Sequence, residues 1–210
     1  MLRKLLFGSV ILTFFGVFLF FSTSALASTT ISSDITSDTT WTATAGPYIL
    51  TSDITIITGA TLTIQAGTVV KFNNYLIDLR VEGSVNAQGT GAQNIIFTEI
   101  RDDAGGDSNG DGSASSPGSG NWGHIEFAAG STGVMDYVDI RYGGYPSLGQ
   151  LTVNGGILTL TNSIIRHSST HGVRIQNSDP VMTDNNWHDN ASAARILSTG
   201  RQTTSPCPKE

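Results

Sequence analysis

From residue 28 onward, apolar and polar positions alternate with a period of two, in short pieces. Leu62 and Ile64 alternate with Thr61, Thr63 and Gln65, and Ile77, Leu79 and Val81 with Asp78 and Arg80. Ile125 and Phe127 alternate with His124 and Glu126, and Val173 and Ile175 flank Arg174. Side chains two apart on an extended chain share a face, so each piece predicts a strand with one buried side. Gly, Asn, Ser and Asp separate the pieces, as turn residues do. No segment shows the apolar spacing of an amphipathic helix.

The pieces also recur in phase. Met135–Tyr142 aligns with Leu160–His167 at a step of 25 residues, and that stretch with Met182–Asp189 at a step of 22. A companion series, Ile125–Phe127, Leu151–Val153, Val173–Ile175 and Ala194–Ile196, steps by 26, 22 and 21. A repeat of this length, carrying strands too short to bury themselves, predicts one coil of a solenoid stacked about 4.8 Å from the next. A β-sandwich has similar strands without the phase. The expected fold is therefore all-β, a single-stranded right-handed parallel β-helix of roughly six or seven coils with a long insertion at 101–121. The alignment puts Ile140, Ile165 and Trp187 in one inward column. It puts Glu126, Thr152, Arg174 and Arg195 in one outward stripe, and Arg141, Arg166 and His188 in another.

The flanks read differently. Arg3 and Lys4 precede an apolar run from Leu5 to Phe21, and Ala25-Leu26-Ala27 follows. These are the parts of a secretory signal peptide over 1–27, with an uncleaved anchor as the alternative. Residues 28–45 are rich in Ser and Thr and read as a flexible lead-in. Residues 46–197 read as the β-helix, and 198–210 as a polar tail. No cap follows Leu197, so either the ends pair between molecules in end-to-end self-association, or the chain is a shortened version of a longer β-helix.

Composition narrows the function classes. Of 210 residues, 39% are hydrophobic and only 13% charged, which argues against disorder. The formal charge is −6, and −8 once Arg3 and Lys4 leave with the signal, so a nucleic-acid partner is not expected. Cys207 is the single cysteine and forms no internal disulfide, so an exported chain must rely on packing and backbone hydrogen bonds. No segment after the signal is apolar and long enough to span a bilayer. The expected location is secreted or cell surface.

Gly59-Ala60-Thr61-Leu62-Thr63-Ile64-Gln65-Ala66-Gly67-Thr68-Val69-Val70-Lys71-Phe72 resembles the first coil of secreted bacterial right-handed parallel β-helix proteins. Asn121-Trp122-Gly123-His124-Ile125-Glu126-Phe127 resembles a later coil of the same group. The resemblance covers residues 45 to 197 and implies the pectin-lyase-like fold, which carries lyases, hydrolases, adhesins and inert surface proteins alike. It implies, for a lyase, an Asp cluster for calcium with an Arg or Lys base, and for a hydrolase, grouped Asp residues near a His-Gly element. His171-Gly172 is similar to the latter, but Asp179, Asp184 and Asp189 are scattered singly. Asp136 and Asp139, three apart on one expected strand, should face opposite sides, which denies hydrolysis its paired carboxylates. No residue is assigned a catalytic role, and a truncated polysaccharide lyase or glycoside hydrolase stays as the alternative to a binding module.

Two further sets of residues carry candidate chemistry. In the insertion, Asp107, Asn109 and Asp111 stand at relative positions 1, 3 and 5, followed by Gly112 and the Ser113 carbonyl. Alternating oxygen ligands before a glycine suit a hard cation, so Ca2+ is the expected cofactor, with Asp102 or Asp103 completing the shell. Gly118 stands where an EF-hand places its bidentate Glu, so only half of that motif is present, and a solvated acidic loop is the alternative. On the outer face, Arg141, Arg166, Arg174 and Arg195 suit the carboxylates of an acidic polysaccharide, with Tyr142 and Tyr145 stacking on sugar rings. Solvated surface is the plainer reading of that stripe. The reading as a whole is an exported, non-catalytic module for an extracellular or cell-wall polysaccharide.

Overall fold

Each coil gives one strand to each of three sheets. The computed structural model describes residues 28–197. The expected signal at 1–27 and the tail at 198–210, with Cys207, lie outside the described residues. The first sheet stacks Thr29–Ile31, Tyr48–Leu50, Val69–Phe72, Ile95–Glu99, Val138–Arg141, Ile164–Arg166 and Asn186–His188. The second stacks Ile54–Ile56, Leu79–Val81, Ile125–Phe127, Leu151–Asn154, His171–Gln176 and Ser192–Leu197. The third stacks Thr39–Trp41, Thr61–Gln65, Ser84–Gln88, Thr132–Asp136, Ile157–Thr161 and Val181–Thr183. The result is an all-β parallel solenoid of about six turns with almost no helix.

The register follows the steps in the sequence. Ile140 pairs with Ile165, and Ile165 with Trp187. Glu126, Thr152, Arg174 and Arg195 stand in one row across four coils. Inward columns such as Leu50, Phe72, Leu79, Phe127, Ile140, Leu151 and Leu160 form one core. Stacking supplies what a single coil lacks, because each aliphatic side chain is covered by its equivalents above and below.

Two expectations need correction. Residues 28–45 are not a lead-in outside the ladder. Thr29–Ile31 pairs with Tyr48–Leu50, Thr39–Trp41 pairs with residues of Thr61–Gln65, and Ile35 bridges Ile56. Threonine is polar by composition but β-forming by shape, so a Thr-rich stretch still extends. Ile35 and Trp41 turn inward, and Trp41 stacks on Tyr48 at 4.7 Å. The Asp34 and Asp38 carboxylates accept the N–H groups of Thr55 and Thr61 in the next coil.

Met135–Tyr142 is likewise not one strand. The chain bends at Tyr137, between Thr132–Asp136 in the third sheet and Val138–Arg141 in the first. Its φ is +49°, and Asn162 and Asp184 hold the same bend in the next two coils at +49° and +57°. Asn and Asp tolerate this left-handed conformation better than other side chains with a Cβ. Because of the bend, Asp136 and Asp139 both face outward, on different sheets.

Asn162→Ala is expected to destabilise the fold by about 1–2 kcal/mol, with Asn162→Gly costing clearly less. Glycine also removes the bond from Asn162 Nδ2 to Asp136 Oδ1, so the Ala–Gly difference isolates the backbone conformation. Denaturant unfolding of both variants measures it, and equal losses would refute the bend as the cause.

Candidate functional site

The outer face of the first sheet carries a chain of charges. Lys71 pairs in register with Thr98. An outward lysine would ordinarily be solvated, yet Lys71 is fully buried, because the insertion lies over it. Its Nζ donates to the carbonyl oxygens of Asp102 and Gly106 at 2.6 and 2.7 Å. Thr98 Oγ1 donates to Asp102 Oδ2 at 2.6 Å, and Arg141 Nε donates to the same oxygen at 2.6 Å. Arg141 Nη1 reaches Asp139 Oδ2 at 2.8 Å. Arg166 grips Asp139 side-on, Nε to Oδ1 at 3.1 Å and Nη2 to Oδ2 at 2.8 Å. Two stacked arginines would repel, and Asp139 between them removes the repulsion.

Burial pushes the Asp102 carboxyl upward, but hydrogen bonds from Thr98, the Ala104 N–H and Arg141 outweigh it and hold it below the usual carboxylate range. At its far end the insertion is tied by Glu99, which is 1% exposed. Glu99 accepts from Arg101, from the Gly118 N–H and from Asn121. Trp122 closes the loop, stacked on Phe72 at 4.1 Å, with its indole N–H donating to the Arg141 carbonyl. The carboxylates and arginines of this face therefore pin the insertion to the body.

Within the insertion, the residues expected around calcium are bonded to backbone N–H groups and to one another. Asp102 gives Oδ2 to Thr98 and Arg141 and Oδ1 to the Ala104 N–H. Asp107 accepts the Gly110 and Gly112 N–H groups at 2.8 Å each, and backbone donors hold its carboxyl below the usual range. Asp111 accepts the Ser113, Ala114 and Ser115 N–H groups and the Asn109 amide. Ser113 Oγ donates to Asp103 Oδ2 at 2.6 Å. Among the described residues, no three His, Cys, Asp or Glu side chains gather as a metal site.

The four arginines of the two expected stripes lie on two sheets. Arg141 and Arg166 belong to the first and are bonded to carboxylates, whereas Arg174 and Arg195 pair in register on the second. Arg174 donates to Gln176 at 2.9 Å. Tyr142 is turned onto the coil above it and stacks on His167 at 5.0 Å and 7°. Burial, and then the Arg166 charge, lower the His167 pKa.

Tyr145 differs. It lies in the turn between the first and second sheets, 38% exposed, and meets Tyr75 edge to face at 4.9 Å and 79°. Tyr75 is 50% exposed, and Leu76 beside it 61%. The two turns are two coils apart. They meet because the intervening coil is reduced at this corner to Trp122 and Gly123, whose carbonyls accept the Tyr145 and Gly144 N–H groups. A Cβ on Gly123 would stand 1.8 Å from Asp78 Oδ1, so only glycine passes there. Asp78 Oδ1 accepts the His124 main-chain N–H, and the His124 ring nitrogen Nδ1 lies 2.8 Å from the same oxygen.

Tyr75 and Leu76 were not among the sequence candidates. Their signal is two large apolar side chains inside a polar turn, where no alternation accounts for them. A separate recess of about 190 Å³, lined by Ala43, Gly46, Pro47, Gly67, Val69 and Gly105, contains no acid, base or nucleophile. Among the described residues no helix is long and apolar enough to cross a membrane. Compared with protein-family models, with curated proteins and with solved structures, the chain matches none.

Asp102→Asn is expected to cost about 3 kcal/mol at neutral pH, because it leaves Arg141 underpaired in a buried position. A carboxyl held low in the fold stabilises above its unfolded pKa, and that stability is lost as pH falls through its folded value. The gap between wild type and variant must therefore close on acidification below the usual carboxylate range. Urea unfolding at neutral and acid pH checks this, and a gap independent of pH would contradict it.

Proposed function

We propose that this chain is an exported, non-catalytic binding module of the pectin-lyase-like kind, which holds an extracellular or cell-wall carbohydrate at the Tyr75–Tyr145 corner. The observation that carries the reading is the exposed edge-to-face tyrosine pair, extended by Leu76. Aromatic rings that stay in solvent offer an apolar face with a polar rim, which suits the C–H face and hydroxyl edge of a sugar. Export is supported by the basic, apolar and small-residue order of the first 27 residues. The non-catalytic reading is supported by Asp102 and Asp139, the buried carboxylates of the first-sheet face, which are both bonded to arginine. The Asp102 carboxyl, held below the usual carboxylate range, is a poor proton carrier near neutral pH.

The test is affinity electrophoresis or calorimetry against a panel of soluble plant and bacterial polysaccharides. Tyr75→Ala with Tyr145→Ala should weaken binding about tenfold or more while the melting temperature stays within a few degrees. Undiminished binding by the double variant would remove the corner as the site. Release of reducing ends from any polymer of the panel would overturn the non-catalytic reading.

A further inference from the structure

Resting on the carbohydrate reading above, we infer that the corner selects an uncharged polysaccharide and rejects polyuronates, with Asp53 and Asp78 accepting sugar hydroxyls. The arginine stripe pointed to uronates, but the charge at the corner has the opposite sign. Asp53 and Asp78 occupy equivalent places in adjacent coils, at the entry to the second sheet. Asp53 Oδ1 accepts the Asp78 N–H at 3.0 Å, just as Asp78 Oδ1 accepts the His124 N–H at 2.8 Å. Each carboxylate thus spends one oxygen on the next coil, and among the described residues the other has no protein partner. Asp53 is exposed, and the Asp78 side chain is 34% exposed.

Two residues along the same strands, Arg80 bonds to both Glu82 and Glu126. That neighbourhood holds four carboxylates against one guanidinium. Lys71 lies beneath the insertion, Arg141 and Arg166 are on Asp102 and Asp139, and Arg174, two coils along the Glu126 row, donates to Gln176. A uronate approaching the tyrosines would bring a further negative charge toward Asp53 and Asp78, while Arg80, on the strand that Asp78 leads into, is already bonded to Glu82 and Glu126. A neutral sugar instead brings hydroxyl donors, which the free carboxylate oxygens accept as charge-assisted hydrogen bonds. The rings supply contact area and the carboxylates supply the sign of the charge they tolerate.

The experiment sets the full chain against galactomannan and xyloglucan as neutral probes, and polygalacturonate and alginate as uronate probes, at low and at physiological salt. Retardation by a neutral probe and none by the uronates is expected. Asp78→Asn, which keeps the oxygen facing His124, should weaken neutral binding about tenfold or more. If that variant melts lower than wild type, Asp53→Asn on an exposed side chain replaces it, with a weakening of several-fold expected. Binding to uronates in preference to neutral probes would overturn this inference and leave the carbohydrate reading standing. Binding to none of the four would overturn both. Neutral binding unchanged in both Asp variants would remove the carboxylates as acceptors.

Discussion

Parallel backbone pairing at a fixed spacing of about 4.8 Å is the constraint on which this molecule depends. Every coil must offer the same strands in the same register as the one below, or the ladder breaks and unpaired N–H and C=O groups are left at an edge. Inward positions obey by repeating aliphatic side chains of similar volume. Bends obey by repeating a left-handed residue, as at Tyr137, Asn162 and Asp184. Polar groups inside obey by bonding across coils. Asn190 links the Ile165 carbonyl to the Ser168 N–H, and buried Gln150 bonds the carbonyls of Ile140 and Arg166.

The outer faces obey too, and this decides where the charges go. Residues stacked at coil spacing act on each other before they act on any ligand. Arg141 above Arg166 would be unfavourable alone, and Asp139 placed beside both makes the pair acceptable. The same chain of charge then holds the insertion, through Asp102 and buried Lys71. A basic stripe that looks in sequence like a surface for anions is in space a strap for a loop.

Much of the architecture was legible because it is periodic. The steps between Met135–Tyr142, Leu160–His167 and Met182–Asp189 are the register itself. What was not legible depends on conformation or on neighbours outside the repeat. The bend at Tyr137 escapes a period-two reading because tyrosine seldom adopts positive φ, whereas Asn162 and Asp184 were fair signals of it. The first coil escaped because threonine counts as polar in composition yet extends readily. The partners of Arg141 escaped because Asp102 is 39 residues away, in a loop whose path no alignment gives. Tyr75 and Tyr145 meet across a coil that carries the insertion, and the repeat says nothing of a place where it is interrupted.

That interruption also sets apart the corner proposed for recognition. A strand face is committed to its ladder, so changing one outward residue alters its fit with two neighbours. A turn between sheets has no such obligation, because its length can vary without shifting the strands it joins. In the fourth coil the insertion leaves the first sheet after Glu99 and re-enters at Trp122, and the corner beside it shrinks to Gly123. The turns of the coils on either side close over that gap, which brings Tyr75 against Tyr145 and leaves both rings in solvent. The insertion thus acts on the corner from a distance. By being strapped to the first sheet it fixes Trp122 against Phe72, and Trp122, through its carbonyl, fixes the backbone of Tyr145. The strap and the Tyr75–Tyr145 corner are two consequences of one departure from the repeat.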